Sequence, residues 1–461
     1  MFIIDIIVNI LSTPAMLVGL MAMIGLILQA KPKEIVIKGT IKTIAGFVVL
    51  GAGADYLLSG SLNDFGTLFN FAFNIQGVVP NNEAIVATAL ADFGGATALI
   101  MCFGMIANLL LARFSRLKYI FLTGHHTLYM ACLIAVLLTA GGLEGATLIL
   151  AGSALLGLIM VLSPAITQAT MTKITGSSDL AFGHFGGAGY WLSAQVGKLF
   201  KGSKSSEEIN FPKGLSFLRD TTVSIAITMI IFYLIVTGAA MANGAMQDPT
   251  ISAWFVGGET TTHWTIWAIV KGINFAAGVY IILAGVRLVI GEIVPAFKGI
   301  SEKLVPNAKP ALDCPVVFPF APNAVVIGFL VSFAGGLVGL AILGAINVAL
   351  IPVALILPGV IPHFFCGATA GVFGNAEGGL KGCVAGSFVH GLAITFLPAL
   401  TMPVMGALKF ANTTFSDADF SIVGIVIGNT AQFVQGTGLL IVCLVLFLLP
   451  IIYNVVAPKK A

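Results

Sequence analysis

Long apolar runs constrain this chain more than any other feature. Stretches near 7–29, 43–60, 95–112, 119–141, 145–163, 222–242, 265–290, 324–345, 347–361, 383–402 and 424–452 carry few ionisable side chains. A helix of about 20 residues crosses the roughly 30 Å hydrocarbon core of a bilayer, and lipid offers no partner to an open backbone polar group. The pattern therefore predicts eleven spans and an all-α polytopic membrane protein with re-entrant or amphipathic segments. Composition agrees: 58% of the residues are hydrophobic and only 9% are Asp, Glu, Lys or Arg, against roughly a quarter charged in soluble globular proteins. So few charges would not cover a water-facing surface.

The cations fall in short loops, and Lys and Arg in such loops stay on the cytoplasmic side. Lys31, Lys33, Lys38 and Lys42 follow the first run, Arg113, Arg116 and Lys118 the third, and Lys198, Lys201, Lys204, Lys213 and Arg219 the fifth. The alternate loops hold Asp64, Glu83, Glu144, Asp248 and Glu259, and the tail ends in Lys459-Lys460. The expectation is an outside N-terminus and a cytoplasmic C-terminus. A net charge of +3 spread this way argues against nucleic acid as a partner. The six cysteines are scattered singly, with no CxxC pair, and read as small core residues instead of disulfides or a metal site. The N-terminal run lacks a basic n-region and extends to about Ala30, too long for a cleaved signal peptide, so it reads as the first span.

Two stretches break the up-and-down pattern: 164–220, polar and Gly-rich after Pro164, and 359–381, with Gly, Pro, Asn and Glu inside apolar sequence. Irregular backbone at membrane depth belongs where protein buries it or where it lines a cavity. The two stretches also resemble each other, FGHFGG at 182–187 and FGNAEGG at 373–379, each following a polar patch at a similar distance, TGHH at 123–126 and APN at 321–323. That is the signature of an inverted repeat whose broken elements meet near the midplane.

An ionisable residue inside a span is a functional hypothesis by default. His125 and His126 open the fourth span and read equally as site or structural residues. His184 sits in the Gly-rich stretch, where missing side chains allow a ligand to approach backbone and imidazole. Asp313 either caps the next element or contacts a ligand. Glu377 and Asp92 are open among ligand contact, cap and partner of a buried Lys, and Lys271 and Arg287 are expected to snorkel or pair. There is no GxSxG elbow, HExxH helix or GxxxxGK[ST] loop, so a membrane-embedded hydrolase is not indicated.

Over nearly its whole length the sequence resembles the ascorbate-specific membrane component (enzyme IIC) of the bacterial phosphoenolpyruvate-dependent sugar phosphotransferase system. The segments that carry the resemblance are IKGTIKTIAGF (37–47), LTGHH (122–126), FGH (182–184), and LDC with FAPNAVVIGF (312–329). The resemblance implies a homodimeric permease of the bacterial cytoplasmic membrane. Each protomer, here residues 1–461, is a single unit in which a sugar-holding core subdomain and a dimerisation subdomain interleave, with elevator-like movement of the core. It implies no cofactor and no catalytic residue of the chain's own: the phosphate comes from a cysteine of a separate IIB protein charged by IIA, and neither of those domains is expected here. It also makes His125, His184 and Asp313 sugar-contacting residues.

Departures from the family pattern fall on further contacts. Tyr129 and Phe185 stand where the family has glutamines, and Asn82 and Glu83 where it has a Thr-Tyr pair. Phe185 cannot donate the hydrogen bond a glutamine would, a loss of about 1–3 kcal/mol in a buried polar site. The substrate is therefore expected to be L-ascorbate or a related sugar or sugar acid. The competing reading is an ion-coupled carrier or facilitator that kept the fold, with Glu83, Asp92 or Glu377 as coupling carboxylates; a non-transporting scaffold would have no need of His125, His184 and Asp313.

Overall fold

The computed structural model describes residues 9–10, 13–73, 78, 80, 82–209, 221–257, 260–359, 362–407 and 414–456. The principal helices are α1 (Pro14–Leu28), α2 (Lys33–Leu57), α3 (Asn63–Phe73), α4 (Asn82–Phe114), α5 (Gly124–Ala140), α6 (Gly145–Thr175), α7 (Gly187–Lys198), α8 (Thr221–Ala242), α9 (Trp264–Lys303), α10 (Pro322–Ala349), α11 (Ala368–Ala407), α12 (Ala418–Phe433) and α13 (Thr437–Val456). Among the described residues, five helical segments are long and apolar enough to cross a bilayer: Asp92–Phe114, Gly145–Thr175, Pro322–Ala349, His363–Val404 and Thr437–Val456. Gly124–Ala140 and Met229–Ala242 are shorter apolar helices. The chain is a multi-pass helical membrane protein.

Several elements differ from the sequence expectation, each for a physical reason. α6 runs straight through Pro164 to Thr175, because an apolar helix packed among neighbours tolerates a proline whose freed backbone groups find other partners. The run at 347–361 does not form a helix of its own: α10 ends at Ala349, residues 351–355 take no regular structure, and Ile356 bridges to Val78, whose N–H donates to the Leu355 carbonyl at 2.8 Å. The run at 424–452 divides into α12 and α13, with Gly436 at φ +55 between them. The stretch at 359–381 is largely helical where described and breaks at Gly378–Gly379. Gly379 takes φ +57, and the Cβ of any other residue there would strike the Ser203 and Lys204 carbonyls. The Leu380 N–H donates to the latter at 2.7 Å.

The fold is also not wholly α. Three short strands, β1 (Tyr119–Phe121), β2 (Ala181–Phe182) and β3 (Lys309–Leu312), form a parallel sheet in the order β1-β3-β2. Phe121 and Ala181 both pair with Ala311, and Phe182 with Leu312. A sheet edge buried in protein needs partners for its open backbone groups. Asn108 of α4, fully buried, supplies them on the β1 side: its Nδ2 donates to the Tyr119 carbonyl and its Oδ1 accepts from the Phe121 N–H, both at 3.1 Å. Gln168 of α6 donates to the Leu180 carbonyl just ahead of β2 at 3.1 Å.

Around this sheet α11 packs on α7 and α10, α4 on α6, and α9 on α2 and α8. Small residues set the close approaches, as membrane helices require when packing must replace the hydrophobic drive. A Cβ on Gly328 of α10 would lie 2.6 Å from the Gly367 carbonyl and 2.7 Å from the Cα of Gly371. The start of α10 is capped from afar: the Glu207 carboxylate accepts from the Asn323 and Ala324 N–H groups at 3.2 and 3.0 Å, placing a negative charge at the positive end of the helix dipole.

Candidate substrate site

Each strand of the small sheet is followed at once by a polar residue. β1 leads through Leu122 and Thr123 into α5, which opens with Gly124, His125 and His126; β2 leads through Gly183 to His184; β3 is followed by Asp313. Because the strands are parallel, all three carboxyl ends lie at one edge, and residues some 60 to 190 positions apart meet there. The turns are held by backbone bonds from Leu122 N to the Ala311 carbonyl (3.0 Å) and from Gly183 N to the Leu312 carbonyl (2.7 Å), and by the Thr123 hydroxyl donating to the Gly183 carbonyl. Gly183 is required here, since a Cβ would run into the Ala311 carbonyl of β3.

His125 Nε2 stands 3.6 Å from Asp313 Oδ2, and His184 Nε2 stands 3.9 Å from Asp313 Oδ1. The His125 and Asp313 side chains are 28% and 19% exposed, whereas His126 and His184 are buried at 3% and 4%. Asp313 takes the capping role, with Oδ1 accepting from the Cys314 N–H at 2.6 Å at the start of the following turn, while the carboxylate faces two histidines. The Tyr190 hydroxyl, fully buried on α7, shares a 2.9 Å hydrogen bond with His184 Nδ1. That bond turns Nε2 of His184 toward the carboxylates.

A fourth segment also arrives. Asp417, immediately before α12 and 3% exposed, places Oδ2 3.8 Å from His126 Nδ1 and 3.9 Å from His184 Nε2. Its other oxygen, Oδ1, accepts from Ser416 Oγ at 2.6 Å and from the Cys366 thiol at 3.4 Å. Asp419, two residues on, does a different job. It accepts from Ser163 Oγ (2.6 Å) and from the N–H groups of Ala188 (2.8 Å) and Gly187 (3.2 Å), anchoring the start of α7. Neither aspartate was singled out in the sequence, and nor was Tyr190. The one available signal is the acidic pair in SDAD (416–419) just ahead of an apolar run.

The other residues singled out in the sequence are placed as follows. Tyr129, half-buried one turn beyond His125, meets its ring edge-on at 5.8 Å. Asn82, at the start of α4, reaches the cluster: its Nδ2 donates to Asp417 Oδ2 at 3.3 Å and its Oδ1 accepts from Ser416 N at 3.0 Å. Phe185 contributes its backbone N–H, 3.4 Å from His126 Nδ1, while its ring is fully buried, stacked on Phe121 at 4.4 Å. Glu377 is the partner of a lysine, taking Lys173 Nζ at 2.6 Å and the Thr170 hydroxyl at 2.9 Å. Lys271 pairs with Asp64 at 2.5 Å, and Asp92 and Arg287 are exposed. The side chain of Glu83 lies outside the described residues, as do Lys213, Arg219, Glu259 and Lys459-Lys460.

Three imidazoles and two carboxylates supply, within one cluster, the donors and acceptors that fix a hydroxyl-rich small molecule. Helices long enough to cross a bilayer, folded around a buried polar cluster, define a multi-pass membrane protein with an internal polar site. Comparison with known proteins narrows that class: the profile of the EIIC-GAT family, described as the PTS system sugar-specific permease component, matches residues 9–419, and the chain belongs to this family. It is 28% identical over 417 residues to a curated relative, the ascorbate-specific PTS system EIIC component of Mycoplasma pneumoniae (strain ATCC 29342 / M129 / Subtype 1). The match covers 81% of this chain and 62% of the relative, so the chain spans less than two thirds of the relative's length.

Proposed function

We propose that this chain is the membrane permease of a sugar phosphotransferase system, and that His125, His184 and Asp313 bind L-ascorbate or a related sugar or sugar acid. The observation that carries this reading is the convergence of those three side chains, from segments far apart in sequence, at the carboxyl edge of one buried sheet. An enediol acid with several hydroxyls needs donors and acceptors of both kinds at close range, which imidazole and carboxylate side chains supply together. The family and the name of the Mycoplasma relative point the same way.

In this reading Tyr129, Asn82, Phe185 and Glu83 line or support the site, and a separate IIB protein, recharged by IIA, phosphorylates the sugar as it passes. The protomer has eleven spans built as an inverted repeat, with its N-terminus outside and its C-terminus in the cytoplasm. Two such protomers pair through one subdomain while the core subdomain moves. The ion-coupled alternative draws little support: Glu377 is occupied by Lys173 and Thr170, and Asp92 lies exposed.

Equilibrium binding of labelled ascorbate to purified protein, beside a His184→Ala variant, tests the reading. Saturable binding that the substitution weakens by about 10-fold or more is expected, in line with a lost hydrogen bond to a charged or strongly polar group. A folded protein that binds ascorbate no better than the variant would refute the substrate assignment.

A further inference from the structure

Asp417 occupies the N-cap of α12, where an aspartate ordinarily accepts from the second or third N–H of its helix. Here its side chain makes no such bond. It turns instead into the histidine cluster, where Oδ1 takes the Ser416 hydroxyl and the Cys366 thiol, and Oδ2, beyond its 3.3 Å contact with Asn82, faces His126 and His184. The gaps of 3.8 and 3.9 Å are too wide for direct hydrogen bonds. An oxygen set to one side of these pairs can stand about 2.8 Å from both partners. His126 Nδ1 accepts the Phe185 N–H at 3.4 Å with its one ring lone pair, so Asp417 Oδ2 is the acceptor open on this side of the cluster. A carboxylate oxygen with lone pairs to spare calls for a donor beside it.

We infer that Asp417 is a substrate-contacting residue: its Oδ2, with His126 and His184, forms an inner subsite that takes one hydroxyl of the sugar as a hydrogen-bond donor. The inference rests on the sugar-permease reading and extends it from the partly exposed pair His125 and Asp313 to a buried end of the site. The aspartate forgoes its cap and buries its charge because the ligand hydroxyl completes its coordination. Specificity at this end is for a group that can donate, so a ligand carrying hydrogen or methyl in place of that hydroxyl leaves Oδ2 with the 3.3 Å Asn82 contact alone and binds more weakly.

The test is equilibrium binding to the full-length protein in detergent, using ascorbate, a series of ascorbate analogues each lacking one hydroxyl, and a panel of hexoses and hexitols. Wild type, Asp417→Asn and His184→Ala are compared, with the unfolding midpoint measured for each. Asp417→Asn is expected to weaken binding of the best ligand by about 10- to 100-fold without lowering the unfolding midpoint. One deoxy analogue is expected to bind wild type and Asp417→Asn equally, which identifies the contacted hydroxyl; a residue that only shaped the site would weaken every analogue by the same factor, and that result overturns the inference. Unchanged affinity in Asp417→Asn, with His184→Ala still defective, also overturns it and leaves the sugar site standing. A folded wild type that binds nothing in the panel overturns both. Stoichiometric zinc in the purified protein that must leave before sugar binds would give the gap to a cation, and the inference would fall.

Discussion

Asn108 shows what a single side chain does for this fold. Its amide satisfies one carbonyl and one N–H at the edge of β1 in a fully buried position. Asn108→Ala would leave both without partners, at about 1–3 kcal/mol each. A fall in the unfolding midpoint in detergent is expected, larger than for Asn429→Ala, where an exposed amide returns only to its own helix. The same scale explains what sequence alone disclosed. His125, His184 and Asp313 stood out because an ionisable group among apolar residues is costly. Asp417 did not, because SDAD reads as an ordinary polar linker between apolar runs, and only the folded chain reveals that one of its two acids turns inward while the other anchors α7.

At the level of elements, helices were legible and strands were not. Strands of three, two and four residues are too short for a twofold alternation to register, and YIF, AF and KPAL merge into the flanking apolar sequence. Proline misled in the other direction, since the rule that it ends a helix holds for helices in water more than for α6 around Pro164. Gly183 is where the strands are most exposed to test. Gly183→Ala places a methyl group against the Ala311 carbonyl, and overpacking of this kind costs about 1–3 kcal/mol. Because His184 is the next residue, the substitution should also weaken sugar binding, measured alongside the unfolding midpoint; unchanged binding would mean that the β2–β3 pairing does not position the histidine. The link between α6 and α11 yields a second comparison. Lys173 is half exposed whereas the Glu377 side chain is 2% exposed, so Lys173→Met strands a buried carboxylate and should destabilise more than Glu377→Gln, whose amide oxygen can still accept from Thr170. Thermal unfolding of both variants decides it.

For the whole molecule, the charge bias of the loops predicts a direction across the membrane. Glu144 after α5 and Lys201 after α7 are both exposed, and the five described cysteines are all buried. In intact cells a membrane-impermeant maleimide is expected to label Glu144→Cys and to spare Lys201→Cys; the reverse pattern would invert the topology. Polytopic character was plain from hydropathy, because it is a property of composition summed over long windows. How the halves of the chain meet was not, because it depends on contacts such as Glu207 at the start of α10 and Lys204 at the Gly379 break, which join residues more than a hundred positions apart.

The order of the three strands has a mechanical meaning. The strand that precedes Asp313 is the middle one, bonded on either side to the strands that precede the histidines. Pulling the aspartate away from either imidazole would mean unzipping a buried ladder, so His125, His184 and Asp313 are held at a fixed spacing. Any change in the spacing of these three side chains would have to break the sheet first, so they behave as one piece, open only where His125 and Asp313 remain partly exposed.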